Sequence, residues 1–155
     1  MVSMFAVQPG EGSTMRTPIG GEVTIKADTA ATNAAMTVME FVVGSMSGPA
    51  LHTHLREDEL WYVIEGEFRF KAGNTILRAS AGGMAFGPRG VPHWFQNIGD
   101  SPGRLLVVTT PAGLERFFQQ WAELPEPVGP EALHAVGQAN WIDFIGPPGA
   151  VSDPL

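Results

Sequence analysis

The residues best equipped for chemistry fall into two histidine-centred blocks about thirty residues apart: His52-Thr53-His54 with Glu59, and Pro88-Arg89-Gly90-Val91-Pro92-His93. Successive side chains of an extended strand point to opposite faces, so His52 and His54 emerge together while Leu51 and Thr53 face the other way. Two imidazoles at that spacing can share one ion. With His93 and the Glu59 carboxylate they form a donor set suited to a divalent transition metal (Fe, Mn, Ni, Co, Cu or Zn) and poorly suited to hard Ca or Mg. Spacing alone leaves Glu57 and Asp58 as competing carboxylates, although Asp58 has the wrong parity and Glu57 lies farther into the turn.

The elements that must position these groups can be read on either side. Leu55 to Asp58 is polar and turn-like, and Leu60-Trp-Tyr-Val-Ile64 is a β-rich run ended by Glu65-Gly66. Taken as a two-residue hairpin turn, Glu65-Gly66 pairs Val63 with Phe68, Tyr62 with Arg69 and Trp61 with Phe70. Trp61, Val63, Phe68 and Phe70 then share the face of Glu59, with Arg69 and Lys71 on the solvent side. In the second block, Pro88-x-Gly90 and Pro92 rigidify a turn that launches a strand on which His93, Phe95 and Asn97 share a face. Trp61, Phe68, Phe70 and Phe95 are the expected substrate-pocket wall, and Asn97 is expected to orient a turn. Arg56, Glu57, Asp58 and Arg89 read as solvated turn residues, and His134 as a surface or capping group.

Residues 1–20, rich in Gly, Pro, Ser and Thr, read as an irregular arm. Strands are predicted at Glu22 to Lys26, Met36 to Val43, Leu51 to His54, Leu60 to Ile64, Glu67 to Lys71, Thr75 to Arg78, Met84 to Phe86, His93 to Asn97 and Leu105 to Thr110. After Pro111, Leu114, Phe117, Phe118 and Trp121 recur at helical spacing within Ala112 to Glu123, and Pro125 stops the run. This predicts an amphipathic helix covering the barrel. A second short helix, Glu131 to Val136, precedes Trp141-Ile-Asp-Phe-Ile145 and a Gly-Pro-Pro tail.

With 155 residues, 44% of them hydrophobic, the chain suits one domain, and 19 Gly and 13 Pro between short strands favour an all-β sandwich or barrel. A net charge of −7 repels phosphate backbones and anionic membranes, so neither nucleic acid nor membrane is an expected partner. Without cysteine there is no disulfide, no thiolate ligand and no thiol nucleophile. The opening Met1 to Val7 lacks the basic and long apolar regions of a signal peptide, and the expected location is cytoplasmic.

The two blocks resemble the cupin superfamily. Its first motif, H-x-H-x(3,4)-E-x6-G, aligns with His52, His54, Glu59 and Gly66, and its second, G-x5-P-x-G-x2-H-x3-N, aligns with Gly82, Pro88, Gly90, His93 and Asn97. The departure is Met46, where the first motif usually has Gly six residues before its first His; Gly44 and Gly48 lie nearby. The resemblance covers roughly residues 20–112 and implies a single cupin jelly-roll domain over residues 1–155, with C-terminal helices and tail from 112 onward. It also implies a homodimer, since small cupins commonly pair through sheet edges.

Within that superfamily, Leu51 to Gly66, Phe86 to His93 and Thr110 to Phe118 are similar to the small bacterial monocupins grouped with quercetin 2,3-dioxygenases. The resemblance implies a dioxygenase in which His52, His54, Glu59 and His93 hold the metal. An enolic or phenolic hydroxyl binds it, Glu59 takes the proton, and O2 cleaves the ring. The same Lewis acid and base suit a metal-dependent isomerase or polyketide-type cyclase without O2, and a non-catalytic small-molecule or metal-binding cupin is the third reading.

Overall fold

Strand alternation carries the sequence pattern into three dimensions. The structure is a computed structural model that describes residues 3–155, so Met1 and Val2 of the opening segment lie outside the described residues. One antiparallel sheet runs in the order β1 (Ser13–Arg16), β2 (Glu22–Ala27), β3 (Thr37–Val43), β10 (Gly103–Thr110), β5 (Asp58–Glu65), β8 (Met84–Gly87). The second runs β11 (Ile142–Pro148), β4 (Ala50–His54), β9 (His93–Asn97), β6 (Glu67–Ala72), β7 (Thr75–Ser80). Val23, Ile25, Met39, Phe41, Val63 and Val107 of the first sheet are buried with Phe68, Phe70 and Phe95 of the second, giving the jelly-roll core.

The predicted hairpin is corrected. β5 pairs with β10 and β8, and β6 pairs with β7 and β9, so Glu65-Gly66 carries the chain from one sheet to the other. Gly66 has φ +94°, a left-handed conformation that serves this crossover as readily as a hairpin turn. The face assignment survives because both strands still turn these side chains inward: Trp61, Val63, Phe68 and Phe70 are all buried.

Arg69 is a second correction. It points outward from β6 as alternation requires, yet it is only 5% exposed because the chain end folds over it. Its guanidinium lies 5.0 Å from the Trp94 ring centre and donates to Gln96 Oε1 (2.6 Å), Gly149 O (2.9 Å) and Asp153 O. Lys71 pairs with Asp153 at 2.9 Å, so the same clasp holds the C-terminal strap.

Gly113, at φ +143°, delays the first helix to α1 (Glu115–Glu123), whose Phe117, Phe118 and Trp121 are buried as the periodicity predicts. α2 (Pro130–Ala139) follows and packs on β11. Part of the expected N-terminal arm is ordered as β1, paired with β2. Met46 adopts φ +57°, so this loop takes a left-handed turn at the position where the motif usually has glycine. No helix among the described residues is long and apolar enough to cross a membrane.

Candidate metal centre

Register builds the site. On β4, His52 is the Cα partner of His93 on β9 and, on its other side, of Phe144 on β11; His54 is the partner of Ile142. Glu59, early in β5, comes from the opposite sheet. The ligand atoms of His52, His54, Glu59 and His93 all lie within 4.8 Å of one another, and all four residues are buried. Nε2 of His93 and Nε2 of His54 lie 3.1 and 3.2 Å from the same oxygen, Glu59 Oε2. Nδ1 of His52 donates to Ala50 O (2.7 Å) and Nδ1 of His93 to Val91 O (2.9 Å). Those two bonds leave each Nε2 lone pair for the centre. Three imidazole nitrogens and one carboxylate converging in this way fit a first-row divalent metal.

The electrostatics agree with the packing. Burial, with His93 and His54 nearby, pushes His52 well below 6.5 and favours its neutral, ligating form. Burial also opposes charge on His54, but Glu59 and Glu57 outweigh it and raise that imidazole to about 9. Burial opposes ionisation of Glu59 too, yet His54 and His93 hold its carboxyl below the usual carboxylate range.

The competing carboxylates separate cleanly. Asp58 faces away, accepts three hydrogen bonds from Arg89 at 2.9–3.1 Å and is thereby lowered to about 2. It therefore pins the Pro88-Arg89-Gly90 turn to the first block, a role that the solvated reading of both residues missed. Glu57, also expected in solvent, is 2% exposed and lies behind His54, with its Oε2 3.7 Å from Nδ1. Asn97 orients a turn as expected, its amide donating to Val43 O, Gly44 O and Ser101 O while its oxygen accepts from Gly99 N. His134 is exposed and does not join the site.

A cavity of about 350 Å³ opens onto His52, His54 and Glu59. Of the expected aromatic wall, only Phe95 lines it; Trp61, Phe68 and Phe70 are core residues around it. The wall is instead built by Phe41, Leu114, Phe117, Phe118, Ile142 and Phe144, with Thr17 to Ile19 and Ser47 to Ala50 elsewhere in the lining. These come largely from α1 and β11, which sequence parity around Glu59 could not bring to the site.

A cupin domain model matches residues 37–109, the stretch that holds all four ligands. That match, over the jelly-roll core, supports a small cupin. The uncharacterised protein MJ1618 of Methanocaldococcus jannaschii is 29% identical over 72 residues, 46% of this cupin and 58% of that relative's length. Among solved structures, a predicted oxalate decarboxylase from Thermotoga maritima is 25% identical with a TM-score of 0.59, over 68% of this chain and 97% of that one. The polyketide cyclase RemF from Streptomyces resistomycificus is 24% identical with a TM-score of 0.58, over 69% and 79%. These neighbours share the jelly roll while their names differ in chemistry, so the cavity of this cupin has to carry the functional argument.

Proposed function

We propose that this cupin is a metal-dependent dioxygenase acting on a hydroxylated aromatic or enolic small molecule. The observation that carries the reading is the cavity lining: one carboxylate, Glu59, beside His52 and His54 at one part of an otherwise mainly apolar, aromatic pocket. Among the described residues, no lysine or arginine lines that cavity. Beyond the ion itself, a ligand with several anionic groups would find no side-chain cation there to balance them, whereas a flat, neutral molecule with one or two oxygen donors suits both the walls and the ligand cluster.

A bound divalent metal would supply Lewis acidity toward a substrate hydroxyl and, if redox-active, a route for O2 into the reaction. The chain does the rest. His52, His54, His93 and Glu59 would hold the ion. Glu59 Oε2, as the only cavity carboxylate among the described residues, would accept the hydroxyl proton, and Phe95, Phe117, Phe118 and Phe144 would orient the ring and exclude water. Both atoms of O2 would enter the cleaved product.

The same base and walls support a second reading, an isomerase or polyketide-type cyclase that needs no O2. A panel of flavonols and other enolic substrates, incubated with metal-loaded protein in air and under anaerobic conditions, separates the two. Product that requires O2 supports the dioxygenase; equal turnover without O2 replaces it with the isomerase or cyclase; no product from any substrate leaves a binding protein.

A further inference from the structure

Glu57 is the buried group that the proposed reaction does not use. It is 2% exposed, its Oε2 has no hydrogen-bond partner, and no Lys or Arg pairs with it among the described residues. A carboxylate in that condition is costly unless something nearby uses its charge. The nearest complementary atom is Nδ1 of His54 at 3.7 Å, itself buried and without a partner. His52 and His93 have their Nδ1–H groups fixed by main-chain carbonyls two residues upstream, but His54 has none. Glu57 occupies the corresponding place.

We propose that Glu57 is the positioning residue of His54: its carboxylate accepts the Nδ1–H, fixes the tautomer that presents Nε2 to the ion, and makes His54 a stronger ligand. The inference rests on reading the cluster as a metal centre. A small rotation of either side chain brings the two atoms, 3.7 Å apart, within hydrogen-bonding distance. Charge explains why a carboxylate stands there instead of another carbonyl. A divalent ion with Glu59 alone leaves one uncompensated positive charge in a buried site, and Glu57 neutralises it.

Location excludes a direct role in the reaction. Glu57 does not line the apolar cavity; it borders a separate polar cavity of about 170 Å³ with Arg56, Gly113 and Arg116. It reaches the centre through His54, as carboxylates behind ligating histidines do.

The test is zinc(II) affinity by chelator competition, together with ring-nitrogen NMR of the zinc-loaded protein, for wild type, Glu57→Gln and Glu57→Leu. Both variants remove a buried charge that no Lys or Arg pairs among the described residues, so both are expected to fold. The expected result is a loss of about 10- to 100-fold in zinc affinity in each, and an upfield shift of the His54 Nδ1 proton, which in wild type lies downfield of its counterparts in His52 and His93. Affinity within about twofold of wild type with an unmoved ring proton would overturn the proposal. So would a wild-type His54 ring proton with no sign of a strong hydrogen bond, whatever the variants do. Failure of wild type to bind zinc would instead strike the metal-centre reading itself.

Discussion

Glu59 Oε2 lies 3.1 Å from Nε2 of His93, although 34 residues separate them in the chain and they belong to opposite sheets. The contact closes the cluster across the sandwich: three imidazoles come from one sheet and the carboxylate from the other. It also places the only cavity carboxylate among the described residues against the clustered imidazoles, where the proposed reaction uses it as ligand and as base.

Glu59→Gln separates those two roles. The amide keeps an oxygen ligand and the side-chain volume but cannot take a proton. Turnover should fall by about a hundredfold or more while some metal stays bound. Full activity with metal retained would show that Glu59 is not the base.

The cluster of His52, His54, Glu59 and His93 was legible because short-range rules fix it: strand parity brings His52 and His54 together, and turn chemistry launches His93. Glu57, Arg69 and the cavity wall were not legible because each depends on chain that arrives from far away. Arg69 obeys parity, but residues 149–153 cover the face it occupies. Glu57 is enclosed together with the Gly113 and Trp141 regions, and no local pattern announces that burial. The β5-to-β6 crossover failed for another reason: Glu-Gly with a left-handed glycine carries the same local signal whether the next strand pairs back or changes sheet.

Met46→Gly should stabilise the protein, because Met46 holds a left-handed backbone at φ +57°. A side chain in that conformation costs about 1 to about 2 kcal/mol. Glycine relieves that strain but loses about 0.5 to about 1 kcal/mol through its greater backbone freedom in the unfolded chain. Taking the middle of each range, the net gain is about 0.75 kcal/mol. Chemical denaturation measures it; an unchanged or lower midpoint at equal slope would contradict the strain.

Glu115 anchors α1 to the barrel by accepting hydrogen bonds from Thr29 N (3.0 Å), Thr29 Oγ1, Thr37 Oγ1 and Gly113 N (3.1 Å). Glu115→Ala should cost about 3 kcal/mol by orphaning those buried donors. Burial opposes ionisation, but the Thr29 and Thr37 hydrogen bonds hold the carboxyl below its ordinary 4.5. A depressed folded-state pKa contributes stability that is fully present above 4.5 and lost as pH falls through the folded value, so the gap between wild type and variant should narrow only in acid. A gap that widens on acidification would contradict this sign.

We expect a homodimer. On the outer face of the first sheet, Tyr62 pairs with Met84 and Leu60 with Phe86 at the β8 edge. Tyr62 is 42% exposed, and Met84 and Phe86 are each 54% exposed. An apolar patch along a sheet edge is a natural pairing surface. Light scattering should give twice the chain mass of 16.5 kDa, and Phe86→Lys should shift the population toward monomer. A mass near 16.5 kDa across a wide concentration range would rule the dimer out.

The metal content of the purified protein tests the central claim most directly. Elemental analysis of wild type, prepared without added metal and again after loading and desalting, should find about one divalent transition metal per chain, because three imidazoles and one carboxylate converge on one point. The His52→Ala, His93→Ala double variant, folded but lacking two of the four ligands, should lose nearly all of it. Wild-type occupancy in the double variant would contradict the assignment of this site.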